Sequence, residues 1–216
     1  MRKRKGIGMF GTGVMFALAT CMVFSGVVAA FAAPVDKFDT SPILSPTKMA
    51  GAWYTDRYAP AAFEKATFDG GNRLHLAISS ADSAANRPAA YAGSFYNTQG
   101  RKFDLNNSTF VQADLFVGPD WETNARRSDL WATAVDSGGA VTGYPTIGFS
   151  NGTGFEVFDP ATGVLANIGF PTGFAYGRWY TLRVELDAGP TGSTKFYIDS
   201  ALVYTSPNAS DPDWMG

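Results

Sequence analysis

The chain has 216 residues, of which 45% are hydrophobic and 17% are charged, and this composition is typical of a globular protein. Its 17 basic and 19 acidic residues give a formal net charge of −2. An acidic chain without a basic cluster in its main part is a poor candidate for binding nucleic acid or an anionic membrane surface, so we expect neither partner.

Residues 1–32 have the pattern of a secretory signal peptide. Basic residues occupy positions 2–5, an apolar run extends from Val14 to Val28, and small residues at Ala30 and Ala32 form a cleavage site. Cleavage would leave 184 residues with 13 basic and 19 acidic side chains, a net charge of −6, and would remove the single cysteine, Cys21. An uncleaved membrane anchor and a lipoprotein signal at Cys21 are the alternatives. We expect a secreted or cell-envelope protein with no membrane contact after cleavage and no disulfide.

The mature chain is predicted to contain a leader and one domain. Residues 33–50 form the N-terminal leader, and residues 51–216 form the domain, whose size suits a single hydrophobic core. An aromatic loop is expected at positions 51–60, a long loop at positions 80–100, and one helical turn between positions 121 and 127. Strands are predicted at 65–79 (a hairpin), 109–117, 129–135, 144–149, 154–158, 164–168, 178–187, 195–199 and 202–204.

The clearest of these strands is Arg178–Asp187, in which apolar and polar residues alternate. This period of two predicts a strand with one buried and one solvated face. The buried face carries Tyr180, Leu182, Val184 and Leu186; the solvated face carries Thr181, Arg183, Glu185 and Asp187. A Gly- and Pro-containing turn follows, so this strand is predicted to open a hairpin.

Many short strands at regular spacing, with no long helical period, predict an all-β protein. At this length the pattern favours a two-sheet antiparallel β-sandwich of the jelly-roll type over an immunoglobulin-type sandwich.

The segment Gly177–Leu186, together with Lys195–Asp199 and Leu202–Tyr204, resembles the late strands of the concanavalin A-like lectin/glucanase superfamily. Ser200 replaces the usual turn glycine. The segment Phe95–Leu105 is similar to one found in secreted bacterial proteins of this type with no assigned activity. The resemblance implies a jelly roll with further strands after Tyr204, so the domain is expected to be missing its last strand or strands. Because that superfamily includes lectins, hydrolases, lyases and adhesion modules, the resemblance does not specify a function.

No complete catalytic motif occurs in the chain. A retaining glycosidase needs two facing carboxylates, which the related glucanases supply from a Glu-x-Asp-x-Glu strand, and no such strand is present. The lone His75 is interpreted as a surface or partly buried strand residue. The acidic candidates are Asp129, Asp136, Glu156, Asp159, Glu185 and Asp187. We therefore favour a protein that is not an enzyme.

A binding surface remains the leading hypothesis. Aromatic rings that stack on sugars and polar groups that bond hydroxyls are candidates for it, although each could equally be core or ion-paired. The candidate ligand-binding residues are Arg87, Tyr91, Tyr96, Asn97, Gln99, Arg101, Arg126, Arg127 and Trp131. The expected function is a non-catalytic module for a glycan or another cell-surface component; a divergent polysaccharide-degrading enzyme and a structural domain of a longer surface protein are the alternatives. No cofactor is expected, although acidic loops leave room for a structural calcium ion.

Overall fold

The computed structural model describes residues 36–55, 58–78, 99–105 and 107–215. These residues belong to one compact unit, which spans residues 35–216. They form fifteen β-strands and no α-helix; the only helical turn among them is a 3-10 turn at Pro119–Glu122. None of the described segments is a helix that could cross a membrane. The predicted all-β class is confirmed.

Two four-stranded antiparallel sheets form the main body of the described chain. In sheet I the strand order is β11-β10-β9-β6, and in sheet II it is β14-β13-β12-β5. Sheet I contains β6 (Arg127–Trp131), β9 (Thr146–Ser150), β10 (Gly154–Asp159) and β11 (Val164–Gly169). Sheet II contains β5 (Phe110–Val117), β12 (Arg178–Asp187), β13 (Ser193–Ile198) and β14 (Ala201–Pro207).

Three smaller sheets accompany them. The strands β1 and β2 form a parallel pair, β3 and β4 form an antiparallel hairpin, and β15, β7 and β8 form a three-stranded sheet. Their bounds are β1 (Leu44–Ser45), β2 (Trp53–Tyr54), β3 (Ala62–Phe68), β4 (Gly71–Ala77), β7 (Ala134–Val135), β8 (Val141–Gly143) and β15 (Trp214–Met215).

The strand β12 shows the predicted alternation. Burial changes at every residue from Trp179 to Leu186, and the four predicted apolar positions are all buried. Sheet II continues through β13 and β14, which confirms the predicted hairpin at the end of the chain.

The inner faces of sheets I and II share one hydrophobic core. Sheet I contributes Ile147 and Phe149, and sheet II contributes Leu182 and Val184, all of them at most 1% exposed. Phe174, in the segment after β11, packs at 5.5 Å between ring centroids on Phe149 and also on Tyr180 of sheet II. Because both sheets bury their apolar residues in this core, their polar faces point outward.

The end of β10 is tied to sheet II by a buried carboxylate. Asp159 is 2% exposed, and its carboxylate accepts hydrogen bonds from the hydroxyls of Ser206 and Tyr204, the latter at 3.0 Å. The backbone amides of Ala161 and Thr162 also donate to it. Burial raises the pKa of Asp159, but these hydrogen bonds outweigh it and hold the pKa below its ordinary value.

The β3–β4 hairpin docks on the outer face of sheet II. The ring of Phe68 lies 4.8 Å from that of Phe116 and 6.1 Å from that of Trp179. The indole nitrogen of Trp179 donates to Asp69 at 2.8 Å, and the guanidinium of Arg73 lies over the same indole ring. His75 is exposed on this hairpin and pairs with Glu64 at 3.3 Å.

Three details differ from the sequence-based expectations. The predicted strand 129–135 is interrupted, because Ala132 bonds to Pro145 and the chain then enters a different sheet as β7. The aromatic positions Trp53 and Tyr54 form a short strand instead of a loop. The strands β1, β8 and β15, of two, three and two residues, are not predicted, because runs this short show no period; β1 lies within the predicted leader.

Candidate binding site on the outer face of sheet I

The outer face of sheet I carries a row of polar residues on three of its strands, with a glycine on the fourth, β9. Since Ile147, Phe149, Phe155 and Val157 point into the core, the alternate positions of β9 and β10 point outward. The register of the sheet then places Asp129 of β6, Gly148 of β9, Glu156 of β10 and Asn167 of β11 side by side.

Gly148 leaves room for the carboxylate of Asp129. A Cβ atom at this position would lie 1.9 Å from Oδ1 of Asp129 and 2.6 Å from the carbonyl oxygen of Ser128. The Asp129 carboxylate therefore lies over the backbone of β9, where any other residue would exclude it.

Arg127 bridges the two carboxylates. Its Nε donates to Oδ2 of Asp129 at 3.0 Å, and its Nη1 donates to Oε2 of Glu156 at 2.9 Å. The hydroxyl of Thr153 donates to the second oxygen of Glu156 at 2.8 Å. The guanidinium is thereby held by two partners on two different strands.

The arginine of the cluster is much more exposed to solvent than its two acidic partners. The side chains of Asp129 and Glu156 are 8% and 9% exposed, whereas that of Arg127 is 40% exposed. Oδ1 of Asp129 is buried and has no hydrogen-bond partner among the described residues. Such an atom is uncommon in a folded protein and is costly unless a ligand or water satisfies it.

The charges of the cluster reinforce one another. Burial lowers the pKa of Arg127, but the hydrogen bond to Asp129 and the charges of Asp129 and Glu156 outweigh it, so that the pKa lies above its ordinary value. The guanidinium stays charged, and with two carboxylates around it the cluster carries a local charge of −1.

The exposed part of this arrangement is a donor surface. Nη2 of Arg127 makes no hydrogen bond to the described residues, while Nε and Nη1 are already used. The orientation of the guanidinium is therefore fixed, and its Nη2 can donate to an acceptor of a ligand. Asn167 and Thr153 are exposed beside it and add an amide and a hydroxyl.

The predicted site residues do not all meet at this cluster. Arg127 and Trp131 lie on one face of β6, and Arg126, just before it, pairs with Asp120 at 3.8 Å. The remaining candidates fall elsewhere: Gln99 bridges to Tyr58, Arg101 bonds to Ser45 and Thr55 beside the β1–β2 pair, and Arg87, Tyr91, Tyr96 and Asn97 lie outside the described residues.

Sequence reasoning missed Gly148, Thr153 and Asn167. It named Asp129 and Glu156 only as carboxylates that an enzyme would use. The one available signal was Gly148, which interrupts an otherwise β-branched and aromatic strand and so marks a close approach by another group.

The function of this cluster is not indicated by a metal site in the described residues or by similarity to a known protein. Among the described residues, no three His, Cys, Asp or Glu side chains form a group that could hold a metal ion. No protein-family model, no curated protein and no solved structure matches the chain.

Proposed function

We propose that the protein is a non-catalytic, extracytoplasmic module that binds a neutral glycan on the outer face of sheet I. The observation that carries this proposal is the guanidinium of Arg127, which two nearly buried carboxylates hold with its outer edge exposed. Glycan hydroxyls are acceptors for such a donor, and a fixed donor binds them at a lower entropic cost.

The surroundings of Arg127 support a sugar as the ligand. Trp131 lies four residues along the same strand, where an aromatic ring suits stacking on a sugar face. The local charge of −1 disfavours an acidic polysaccharide, because its carboxylates or sulfates would meet Asp129 and Glu156.

Two features of the whole chain agree with this function. The shared core of sheets I and II agrees with a two-sheet sandwich, and we include in the proposal the concanavalin A-like jelly-roll type that the sequence of β12 to β14 resembles. The secretory signal pattern of residues 1–32 would deliver the domain to the envelope or beyond, where glycans are abundant.

Binding is favoured over catalysis because both carboxylates are nearly buried and bonded to Arg127, so that the guanidinium is the charged group of the cluster that a ligand would meet.

The test is the conservative substitution Arg127→Lys. Lysine keeps the positive charge between the two acids but lacks the planar fork, so the domain should fold while its affinity for a bound polysaccharide falls at least about tenfold. Wild type and variant would first be screened on an array of neutral and acidic glycans, and then compared by calorimetry with the best neutral glycan.

Arg178→Lys is the matched control. Arg178 is 46% exposed and bonds to Asp199 in sheet II, so its replacement changes an equivalent ion pair away from the site. The proposal would be refuted if the wild-type protein bound no neutral glycan, or if the Arg127→Lys variant bound the glycan as tightly as wild type.

A divergent polysaccharide-degrading enzyme is the second candidate. It is favoured by the placement of Asp129 and Glu156 on one face, on either side of Gly148. It predicts that glucan, galactan or alginate is depolymerised and that Asp129→Asn or Glu156→Gln stops the release of product. If the protein released no product from glucan, galactan or alginate, these three polymers would be excluded as substrates of such an enzyme.

A further inference from the structure

A depression lies on the outer face of sheet II and shares no residue with the Arg127 cluster. It has a volume of about 230 Å³ and is lined by Gln112, Thr181, Arg183, Glu185, Tyr197 and Ser200. Pockets for drug-sized ligands have about 300 to 1,000 Å³, so this one suits a smaller ligand, about the size of a single ring.

The register of sheet II explains how the depression forms. Gln112 of β5, Arg183 of β12 and Tyr197 of β13 are direct neighbours across three strands. An amide, a guanidinium and a phenol therefore lie in one line, while the hydroxyl of Thr181 is on the next residue of the same face and bonds to Asp114 at 2.7 Å.

Arg183 is held firmly but its hydrogen-bonding capacity is not filled. Its guanidinium lies 4.1 Å from the ring centroid of Phe110 and 6.0 Å from that of Tyr197, and its Nη2 donates to Glu185 at 2.5 Å. The side chain is 34% exposed, and its Nη1 makes no hydrogen bond to the described residues, so the guanidinium can still donate to a ligand oxygen in the depression.

The charge of the depression selects a neutral ligand. Arg183 and Lys195, which lies opposite Glu185, are balanced by Glu185 and by Asp114, whose carboxylate bonds to Thr181, so the surroundings favour neither a cation nor an anion. A ligand with several hydroxyls would donate to Glu185, accept from Arg183 and Gln112, and lay one face on the ring of Tyr197.

We propose that this depression is an independent binding site for one neutral, hydroxyl-rich ring of monosaccharide size. The proposal does not rest on the glycan site of sheet I, because the two sites lie on different sheets and have no residue in common.

The experiment is an NMR titration of the ¹⁵N-labelled wild-type chain with the methyl glycosides of glucose, galactose and mannose, and separately with glucuronate. Concentrations up to about 50 mM are needed, because a ligand this small binds at about millimolar strength. We expect at least one neutral glycoside to shift the amide signals of Gln112, Arg183 and Tyr197, and glucuronate to shift none of them.

Variants then separate this site from the rest of the surface. Arg183→Lys should weaken binding at least about tenfold, and Gln112→Ala, at an exposed position, at least about threefold. Thr205→Ala, at an exposed position of β14 outside the depression, should leave binding unchanged. Arg127→Lys should leave these shifts unchanged as well, whatever its effect on sheet I. The proposal would be overturned if no neutral glycoside shifted these signals or if glucuronate bound better than the neutral glycosides. It would also be overturned if the Arg183→Lys and Gln112→Ala variants bound as tightly as wild type.

Discussion

The Asp129 carboxylate occupies the space that a side chain at position 148 would fill. The sequence could not show this contact, because the two positions are 19 residues apart and become neighbours only through the pairing of β6 with β9. The candidate site therefore depends on a residue that contributes no functional group of its own.

Replacing Gly148 with alanine should displace Asp129. The new methyl group would overlap Oδ1 of Asp129, so we expect a loss of about 1 to 3 kcal/mol in the free energy of unfolding and weaker glycan binding, since Arg127 loses one of its two partners. Urea denaturation and calorimetry would measure the two effects.

Gly152→Ala is the control for this substitution. Gly152 follows β9 in the same hairpin, and a Cβ atom there would meet nothing within 4 Å. Equal effects of the two substitutions would show that the geometry around Asp129 is not the cause.

The β3–β4 hairpin depends on side-chain contacts with other parts of the domain. It forms its own two-stranded sheet, and isolated hairpins are at best marginally stable. The contacts are made by Phe68, which packs on Phe116 and Trp179, and by the buried Phe63, which packs on Trp53.

Phe68→Ala should loosen this hairpin without unfolding the domain. Each aromatic contact contributes about 0.5 to 1.5 kcal/mol beyond burial, so amide hydrogen exchange in β3 and β4 should become roughly tenfold faster, while exchange in β12 stays slow. Leu76→Ala is the matched control, because Leu76 is 41% exposed and Phe68 43%, both in the same hairpin. Faster exchange in both variants would contradict a specific role for the Phe68 contacts.

How well an element could be predicted depended on its length and on how evenly its faces alternate. The ten residues of β12 carry their pattern in full, because one face is buried in the core and the other is solvated. The strands β6 and β7 were predicted as one strand, because the sequence 129–135 gives no sign that the chain changes sheets at Ala132. The pairing of Asp129 with Glu156 needed the register of three strands, which no local pattern contains.

Between the two large sheets, Asp159 is the polar connection at one end of a largely apolar core. Its acidic side chain was considered for catalysis from sequence, yet it is buried and accepts hydrogen bonds from two hydroxyls of β14. This role depends on two long-range contacts, because Tyr204 and Ser206 lie 45 and 47 positions after Asp159 in the sequence.

Asp159→Asn should destabilise the protein at neutral pH by about 2 to 3 kcal/mol, because hydrogen bonds to a charged acceptor are lost. The pKa of Asp159 is lowered in the folded state, so its contribution is complete above the ordinary value of 3.8 and is lost as the pH falls below it. The difference between wild type and variant, measured by urea denaturation, should therefore shrink in acid.

Asp187→Asn serves as the comparison, since Asp187 is exposed at the end of β12. It should change the free energy of unfolding by less than about 0.5 kcal/mol at neutral pH. A loss for Asp159→Asn that is the same at neutral and acid pH would mean that the charge of Asp159 does not contribute.

The shared core fixes the directions in which sheets I and II present their outer faces. Because the inner faces pack together, the Arg127 cluster and the Arg183 depression point away from each other, separated by two layers of backbone about 10 Å apart and the side chains on them. A domain that held a sugar on each face would therefore keep its two ligands apart by at least the thickness of its own fold, and both sites could be occupied at once without obstructing each other.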